Sequence, residues 1–282
     1  WIFRNRQEFI GKYQHNLPSS VYAPFLAYSY YGKISLTQFL SNKQDYHFRY
    51  GRKRMMRTMY TFTTNGKTVS ISPSSEANVP IIYLNTFSDE GQKVYEAAQA
   101  AGCPPFTLVA ITDLDWNHDM APWDSPSAFK NADPCTGGAG DHLRLLTEEI
   151  IPAAEKELGG VPRWRGIAGY SLAGLFALYA IYQTDLFSRV GSMSGSLWFP
   201  GMKEYIFSHE PQHQPDCIYF SLGDKESKTK NPILRTVQEN TEEICAYYQR
   251  KGIDTVFQLN PGNHFVQSVE RTAAGIAWML SR

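Results

Sequence analysis

The sequence predicts an α/β fold with a mostly parallel central sheet that carries helices on both faces. Short apolar runs alternate along the chain with longer helix-like stretches, a pattern typical of β-α-β units. Before this alternation, the pair Asn65-Gly66 separates two segments of alternating polarity, which predicts an N-terminal antiparallel hairpin. A content of 43% hydrophobic and 19% charged residues favours a folded domain over a disordered or fibrous chain.

The individual elements follow one another in a regular order. The hairpin strands are predicted at 59–64 and 68–72. Apolar runs then predict buried strands at 79–84, 106–111, 164–168, 190–193, 217–222 and 255–259. Helices are predicted between or after these strands at 89–101, 137–158, 172–183, 232–251 and from 267 onward. Because no repeat or low-complexity linker interrupts the series, residues 59–282 are predicted to form one α/β domain.

The first 58 residues differ from the rest of the chain in charge. They contain ten basic and two acidic residues and are rich in Tyr and Phe, whereas the remaining 224 residues contain 17 basic and 25 acidic ones. The formal net charge of zero is therefore a cancellation. We predict a basic aromatic leader at 1–58, in which Arg52-Lys53-Arg54 is interpreted as a solvated basic tail in preference to a patch for nucleic acid or an anionic surface. The leader could be an accessory segment, a lid, or translated sequence ahead of a start near Met55, Met56 or Met59.

Composition also limits the partners and the compartment. The zero net charge argues against a dedicated nucleic-acid binder. Four widely spaced cysteines without a C-x-x-C pair favour reduced thiols over a disulfide scaffold or a zinc site. The longest apolar run, Gly166–Tyr182, has 17 residues, fewer than the roughly 20 that span a bilayer. No signal peptide is predicted after Trp1. We expect a cytoplasmic protein without nucleic-acid or membrane partners, and the oligomeric state stays open.

A serine between a strand and a helix predicts the chemistry. The segment Gly169-Tyr-Ser171-Leu-Ala173-Gly follows a buried strand and opens a helix directly. Such a turn projects the hydroxyl above the carboxyl edge of the sheet, and it needs small residues two positions before and after the serine. Gly169 and Ala173 meet that need. Ser171 is therefore predicted to be a nucleophile, and the amide of Leu172 is predicted to donate to the oxyanion.

A serine nucleophile needs a base and a carboxylate that orients the base. In α/β-hydrolases these residues follow in the chain order Ser, acid, His. His264 is the last histidine and lies in a Pro/Gly turn after the final predicted strand, where such a base belongs. The segment after the strand at 217–222 offers two acids, Asp224 and Glu226, and position alone leaves both open.

Other loops supply candidates for substrate contacts. The loop Asn85-Thr86-Phe87 follows the first parallel strand, so a backbone amide of Thr86 or Phe87 is predicted to be the second oxyanion donor, with the Asn85 side chain less favoured.

Four aspartates between Asp113 and Asp124 lack the spacing of a calcium loop, so no metal is predicted. This stretch is instead expected to form a wall of the site, with Trp116, Asn117 and His118 as pocket residues. Trp198 is a further candidate, either as a pocket residue or as a core aromatic.

Three blocks of this sequence resemble the Putative esterase family of α/β-hydrolases, which includes enterochelin (siderophore) esterases and esterase D-like enzymes. They are Gly137–Pro152, which ends in Glu-Ile-Ile-Pro, Gly166–Leu178 around Ser171, and Phe187–Trp198. Weaker matches lie at 115–122 and 262–264, and the resemblance covers about 59–282. It implies an α/β-hydrolase fold and hydrolysis of a small-molecule ester without a cofactor.

The resemblance also bears on the acid. The family often has a glutamate three residues past a glycine after the corresponding strand, and Gly223-x-x-Glu226 matches this spacing. Glu226 is therefore preferred over Asp224. The predicted function is a serine esterase that acts through a Ser-His-acid triad and an acyl-enzyme. The alternatives are an acyltransferase on the same triad, a non-catalytic binding protein with a hydrolase fold and, less favoured, a peptidase.

Overall fold

The structure is a computed structural model that describes residues 59–128 and 131–282. The leader predicted at 1–58 lies outside the described residues, so both its character and the domain boundary at residue 59 stay predictions.

One eight-stranded sheet organises the described part of the chain. Its strands are β1 (Tyr60–Thr64), β2 (Lys67–Ser72), β3 (Ile81–Asn85), β4 (Thr107–Thr112), β5 (Arg165–Tyr170), β6 (Arg189–Met193), β7 (Cys217–Gly223) and β8 (Asp254–Asn260). Their order in the sheet is β1-β2-β4-β3-β5-β6-β7-β8, and β2 alone runs in the direction opposite to the other seven strands. The predicted fold class is therefore confirmed.

The hairpin between β1 and β2 forms where the sequence predicts it. Asn65 and Gly66 both have positive φ, at 46° and 74°, as a two-residue turn that matches the strand twist requires. Thr64 pairs with Lys67 across this turn, and the register continues to Tyr60 and Ile71. The local Asn-Gly signal thus fixes the edge of the sheet.

Helices cover both faces of the sheet. They are α1 (Gly91–Ala100), α2 (Trp116–Asp119), α3 (Ala139–Leu145), α4 (Ile151–Leu158), α5 (Leu172–Gln183), α6 (Met202–Ser208), α7 (Val237–Arg250) and α8 (Ser268–Leu280). Buried residues of α1 and α8 form the apolar cluster on one face, and those of α3 to α7 form the cluster on the other. The short helices α2 and α6, and a two-residue ribbon that pairs Asp124 with Thr136, are too brief for sequence periodicity to detect.

The helix predicted over 137–158 is interrupted. A single π-helical turn, Leu146–Ile150, joins α3 to α4. Pro152 lies just after this turn, so the proline, which has no N–H to donate, lies where the regular α-helical hydrogen bonding is already interrupted. The helix then ends at Gly159, whose φ of 74° is the left-handed conformation typical of helix C-termini.

The most apolar segment of the chain is the centre of the core. Helix α5 is buried on nearly all sides between the sheet and its neighbours, as expected for a helix that is hydrophobic all round. Within the described residues, no helix is both long and apolar enough to cross a bilayer. The four cysteines, Cys103, Cys135, Cys217 and Cys245, are all free.

Candidate active site

Ser171 occupies a strained turn between β5 and α5. Its φ of 61° and ψ of −124° lie in a backbone region that residues other than glycine seldom adopt. The turn is held on both sides, because the Ser171 N–H donates to the Met193 carbonyl at 3.1 Å and the Ser171 carbonyl accepts from the Ser196 N–H at 3.0 Å. The surrounding backbone therefore compensates for the strain and fixes the direction of the hydroxyl.

Small residues allow β5 and α5 to approach at this turn. A Cβ atom on Gly169 would lie 2.3 Å from the carbonyl carbon and oxygen of Ala173, and one on Gly174 would lie 3.0 Å from the Gly169 oxygen. Ala173 itself is fully buried, and its single methyl group fits. The close approach that the sequence predicts at 169 and 173 is therefore present.

A chain of hydrogen bonds connects three of the predicted residues. Ser171 Oγ lies 3.0 Å from Nε2 of His264, and Nδ1 of His264 lies 2.7 Å from Oε2 of Glu226. The three residues follow β5, β8 and β7, so they meet at the carboxyl edge of the parallel strands. A carboxylate only accepts hydrogen bonds, so Nδ1 carries the proton and Nε2 is left to accept from the serine hydroxyl.

The second oxygen of Glu226 is held by a buried polar cluster. Oε1 accepts hydrogen bonds from Ser194 Oγ at 2.7 Å, from the Gly223 N–H at 2.5 Å and from Arg271 Nη1 at 3.3 Å. Burial by itself raises the pKa of the Glu226 carboxyl. Hydrogen bonding and charge interaction with His264, with the Gly223 and Ser194 hydrogen bonds, outweigh this and hold the net pKa below its ordinary value.

The structure separates the two candidate acids. Asp224 does not contact the imidazole. Its Oδ1 accepts from the Gly262 N–H at 2.8 Å, and its own N–H donates to the Asn260 carbonyl at 2.7 Å. Asp224 thus connects the turn that carries Glu226 to the loop that carries His264.

The backbone N–H groups predicted to bind the oxyanion differ in whether they already have hydrogen-bond partners. The Leu172 N–H, at the first position of α5, has no hydrogen-bond partner among the described residues. The prediction for Thr86 is wrong, because its N–H donates to the Ile111 carbonyl at 2.9 Å and is committed to the sheet. The Phe87 N–H donates to Oε1 of Glu90 at 3.2 Å, a side chain that can rotate away.

Two cavities meet at Ser171 and His264. The first, of about 340 Å3, is called the Trp198 cavity and is lined by Asn117, Trp198, Phe199 and Leu234 among others. The second, of about 360 Å3, is called the Glu90 cavity and is lined by Phe87, Glu90, Val94, Tyr170 and Thr272 among others. Trp116 and Phe265 contribute to both cavities, so the serine lies between two separate spaces.

Three of the four predicted pocket residues line a cavity. Trp116, Asn117 and Trp198 do so, whereas His118 lines neither of the two cavities. The His118 ring packs so closely on Gly138 that a Cβ there would lie 2.3 Å away, and Nδ1 lies 2.8 Å from Thr136 Oγ1. His118 therefore packs against the loop that carries Thr136 and Gly138.

Sequence reasoning missed the residues that support Glu226. Arg271 on α8 is 3% exposed, and besides Glu226 it donates to the Pro261 carbonyl at 2.9 Å. Tyr170 donates to the His264 carbonyl at 2.7 Å and accepts from Arg271 Nη1 at 3.2 Å. The available signal was the position of Arg271, since it falls on the face of α8 that helical periodicity assigns to the core.

A second buried polar pair lies apart from this chain. His142, 2% exposed, places Nε2 2.9 Å from Oδ1 of Asn85, and its Nδ1 has no partner. Burial lowers the pKa of His142 to about 4; the positive charge of Lys67 adds to this and the carboxylate of Asp119 opposes it. Among the described residues, no group of three or more His, Cys, Asp or Glu side chains is placed to hold a metal ion.

Comparison with known proteins agrees with this architecture. An IroE-like serine hydrolase from Shewanella oneidensis has a similar structure, with a TM-score of 0.63, 17% identity, and coverage of 79% of this chain and 80% of that one. The siderophore hydrolase EstA from Aspergillus nidulans gives a TM-score of 0.60, 16% identity, and coverage of 79% and 94%. The sheet order and these neighbours define an α/β-hydrolase fold.

Sequence similarity identifies the family. The model of the family described as "Putative esterase" matches residues 75–268, more than half of the chain. "Uncharacterized protein YbbA" from Bacillus subtilis (strain 168) is 27% identical over 183 residues, which cover 61% of this chain and 72% of that protein. The chain belongs to the Putative esterase family, and it is a carboxylic-ester hydrolase.

Proposed function

We propose that this chain hydrolyses its ester through an acyl-enzyme on Ser171, with His264 as the base and Glu226 as the orienting acid. The observation that carries the proposal is the unbroken hydrogen-bond chain from Ser171 Oγ through the imidazole to the Glu226 carboxylate. A serine hydroxyl is a weak nucleophile, and an adjacent base that is fixed in one tautomer activates it.

In the first half of the reaction, Ser171 Oγ attacks the ester carbonyl while Nε2 of His264 takes the hydroxyl proton. The carbonyl electrons move onto oxygen, and the tetrahedral oxyanion accepts hydrogen bonds from the N–H of Leu172 and, once Glu90 has moved, from that of Phe87. The carbon–oxygen bond of the leaving alcohol then breaks, and Nε2 returns its proton to that oxygen.

In the second half, a water molecule takes the place of the alcohol. His264 removes a proton from the water, whose oxygen attacks the acyl carbon, and the collapse of the second oxyanion breaks the bond to Ser171 Oγ. The proton on Nε2 returns to the serine, and the carboxylic acid leaves. Glu226 stays ionised throughout and stabilises the imidazolium, a task for which its lowered pKa suits it.

The proposal is tested by labelling the full chain with a fluorophosphonate and mapping the adduct by mass spectrometry. We expect one adduct on Ser171. Ser171→Ala should lose the label and about 10⁴-fold in kcat on a p-nitrophenyl ester, by analogy with other triads.

Ser281→Ala, which changes an exposed serine at the end of α8, is the matched control. It should keep both the fluorophosphonate label on Ser171 and the esterase activity. The absence of an adduct at Ser171, together with full activity of Ser171→Ala, would exclude this mechanism.

A further inference from the structure

The Glu90 cavity has an unusual combination of walls. Aromatic rings from Phe87, Trp116 and Tyr170 line it, and Ser171 and His264 lie at one end. Among the described residues, Glu90 supplies the only carboxylate that lines it, and no Lys or Arg does so. The Trp198 cavity is different, since it contains Lys225 together with Asp133 and Glu226.

No cation neutralises the carboxylate of Glu90 in the described part of the chain. Its oxygens accept hydrogen bonds from the Phe87 N–H at 3.2 Å, from the Ser88 N–H at 2.8 Å and from Ser88 Oγ at 2.7 Å. All three donors are neutral, so the cavity keeps a formal negative charge within a largely apolar and aromatic surface.

We propose that the Glu90 cavity binds a positively charged ammonium group on one side of the ester. A carboxylate attracts such a group at short range, and the faces of aromatic rings add cation–π attraction, which is strongest for cations that shed water easily. The same charge selects against substrates that bear a carboxylate there. The inference rests on the proposed function, because it takes Ser171 as the reacting centre.

Binding of the ammonium group also has a consequence for the oxyanion. The hydrogen bond from Phe87 N–H to Glu90 is the longest of the three that the carboxylate accepts. A cation in the cavity competes for the same oxygen and draws it away from the amide. The freed Phe87 N–H then donates to the oxyanion, so the correct substrate completes the site.

The test compares ester pairs of equal shape that differ by one charge. Acetylthiocholine is paired with S-(3,3-dimethylbutyl) thioacetate to place the charge on the leaving group. The p-nitrophenyl esters of 4-(trimethylammonio)butanoate and 5,5-dimethylhexanoate place it on the acyl group. We expect the full chain to prefer the cationic member of at least one pair by about tenfold in kcat/KM, and added salt should reduce this ratio.

The variant Glu90→Gln removes the negative charge and should bring that ratio close to one. The ratio compares two substrates on the same protein, so a general loss of activity does not change it. Glu96→Gln is the matched control, since Glu96 is exposed on helix α1, which begins directly after Glu90, and lies outside the cavity, and it should keep the wild-type ratio. If Glu90→Gln does not fold, the test is made on the wild-type protein. Tetramethylammonium chloride should then inhibit the turnover of a neutral ester more than sodium chloride does at the same concentration.

The outcomes separate this inference from the proposed function. Equal kcat/KM values within both pairs, or no specific inhibition by tetramethylammonium, would overturn the ammonium site while a Ser171 adduct kept the esterase mechanism intact. If none of the four esters is turned over and the fluorophosphonate does not label Ser171, both fail.

Discussion

Arg271 Nη1 lies 3.3 Å from Oε1 of Glu226, and the side chains of both residues are at least 95% buried. The pair joins helix α8 to the turn after β7. Because Arg271 also donates to the Pro261 carbonyl, the same guanidinium holds the loop that leads to His264. The position of the imidazole relative to Ser171 therefore depends on a residue that does not touch the substrate.

Replacing Arg271 should affect both stability and turnover. Arg271→Met leaves the Glu226 carboxylate buried without its cation, which we expect to cost about 3–5 kcal/mol in the free energy of unfolding. Arg271→Lys keeps the charge, but its single ammonium group cannot contact both the Glu226 carboxylate and the Pro261 carbonyl. Compared with Arg271→Met, it should therefore restore part of the stability.

Urea denaturation and steady-state kinetics on the folded fraction provide the measurements. Both variants should lower kcat more than they raise KM. Arg144→Met, which breaks an exposed pair with Asp141, is the control and should change little. Wild-type kcat in Arg271→Met would show that the contact is purely structural.

Two isosteric substitutions distinguish the acids after β7. Glu226→Gln removes the charge that fixes the imidazole tautomer, and we expect kcat to fall by about 10³- to 10⁴-fold. Asp224→Asn changes only the acceptor for the Gly262 N–H, so it should keep most of the activity. The kcat of both variants is measured on one p-nitrophenyl ester. A larger loss in Asp224→Asn than in Glu226→Gln would assign the orienting role to Asp224.

Local sequence signals account for most of the fold. Helix α5 begins and ends where the sequence predicts, because a serine turn precedes it and its apolar run is continuous. The loops that carry Ser171, Glu226 and His264 follow from chain order, since parallel strands bring their carboxyl ends to one edge. The roles of these side chains remain a proposal.

The differences between the predicted and the observed site concern contacts that chain order does not determine. The Thr86 N–H is lost to the Ile111 carbonyl through the pairing of β3 with β4, and only the register shows this. His118 faces Gly138 because of the path of a loop. Arg271, which sequence reasoning missed, approaches Glu226 from helix α8, 45 positions along the chain. Such contacts arise from tertiary packing, so a motif cannot reveal them.

A matched pair of glycine substitutions tests the strained serine turn. Gly169→Ala places a methyl group 2.3 Å from the backbone of Ala173, so β5 and α5 must separate. We expect a loss of about 3 kcal/mol or failure to fold, together with loss of turnover. Gly160→Ala meets no atom within 4 Å and should stay within about 1 kcal/mol of the wild type. Equal urea midpoints for the two variants would contradict the close approach.

His142 should make the stability of the protein depend on pH. Burial lowers the pKa of His142 from 6.5 to about 4, so the folded protein keeps this imidazole neutral where the unfolded chain protonates it. Unfolding then takes up a proton between pH 6.5 and 4, and the free energy of unfolding falls as the pH decreases through this window, by roughly 3 kcal/mol in total. Glu226 affects the free energy of unfolding at lower pH, because its pKa in the folded protein lies below 4.5. Its contribution to stability is lost only as the pH falls further.

The measurement is urea denaturation of His142→Gln and the wild type from pH 7 to 4.5. An amide can still donate to Oδ1 of Asn85 but does not titrate, so the variant should lose less stability over this range, and the two curves should converge toward acid. His213→Gln, at an exposed loop position, should run parallel to the wild type. Parallel curves for His142→Gln would mean that the imidazole is protonated without unfolding, and that its burial imposes no penalty on the charged form.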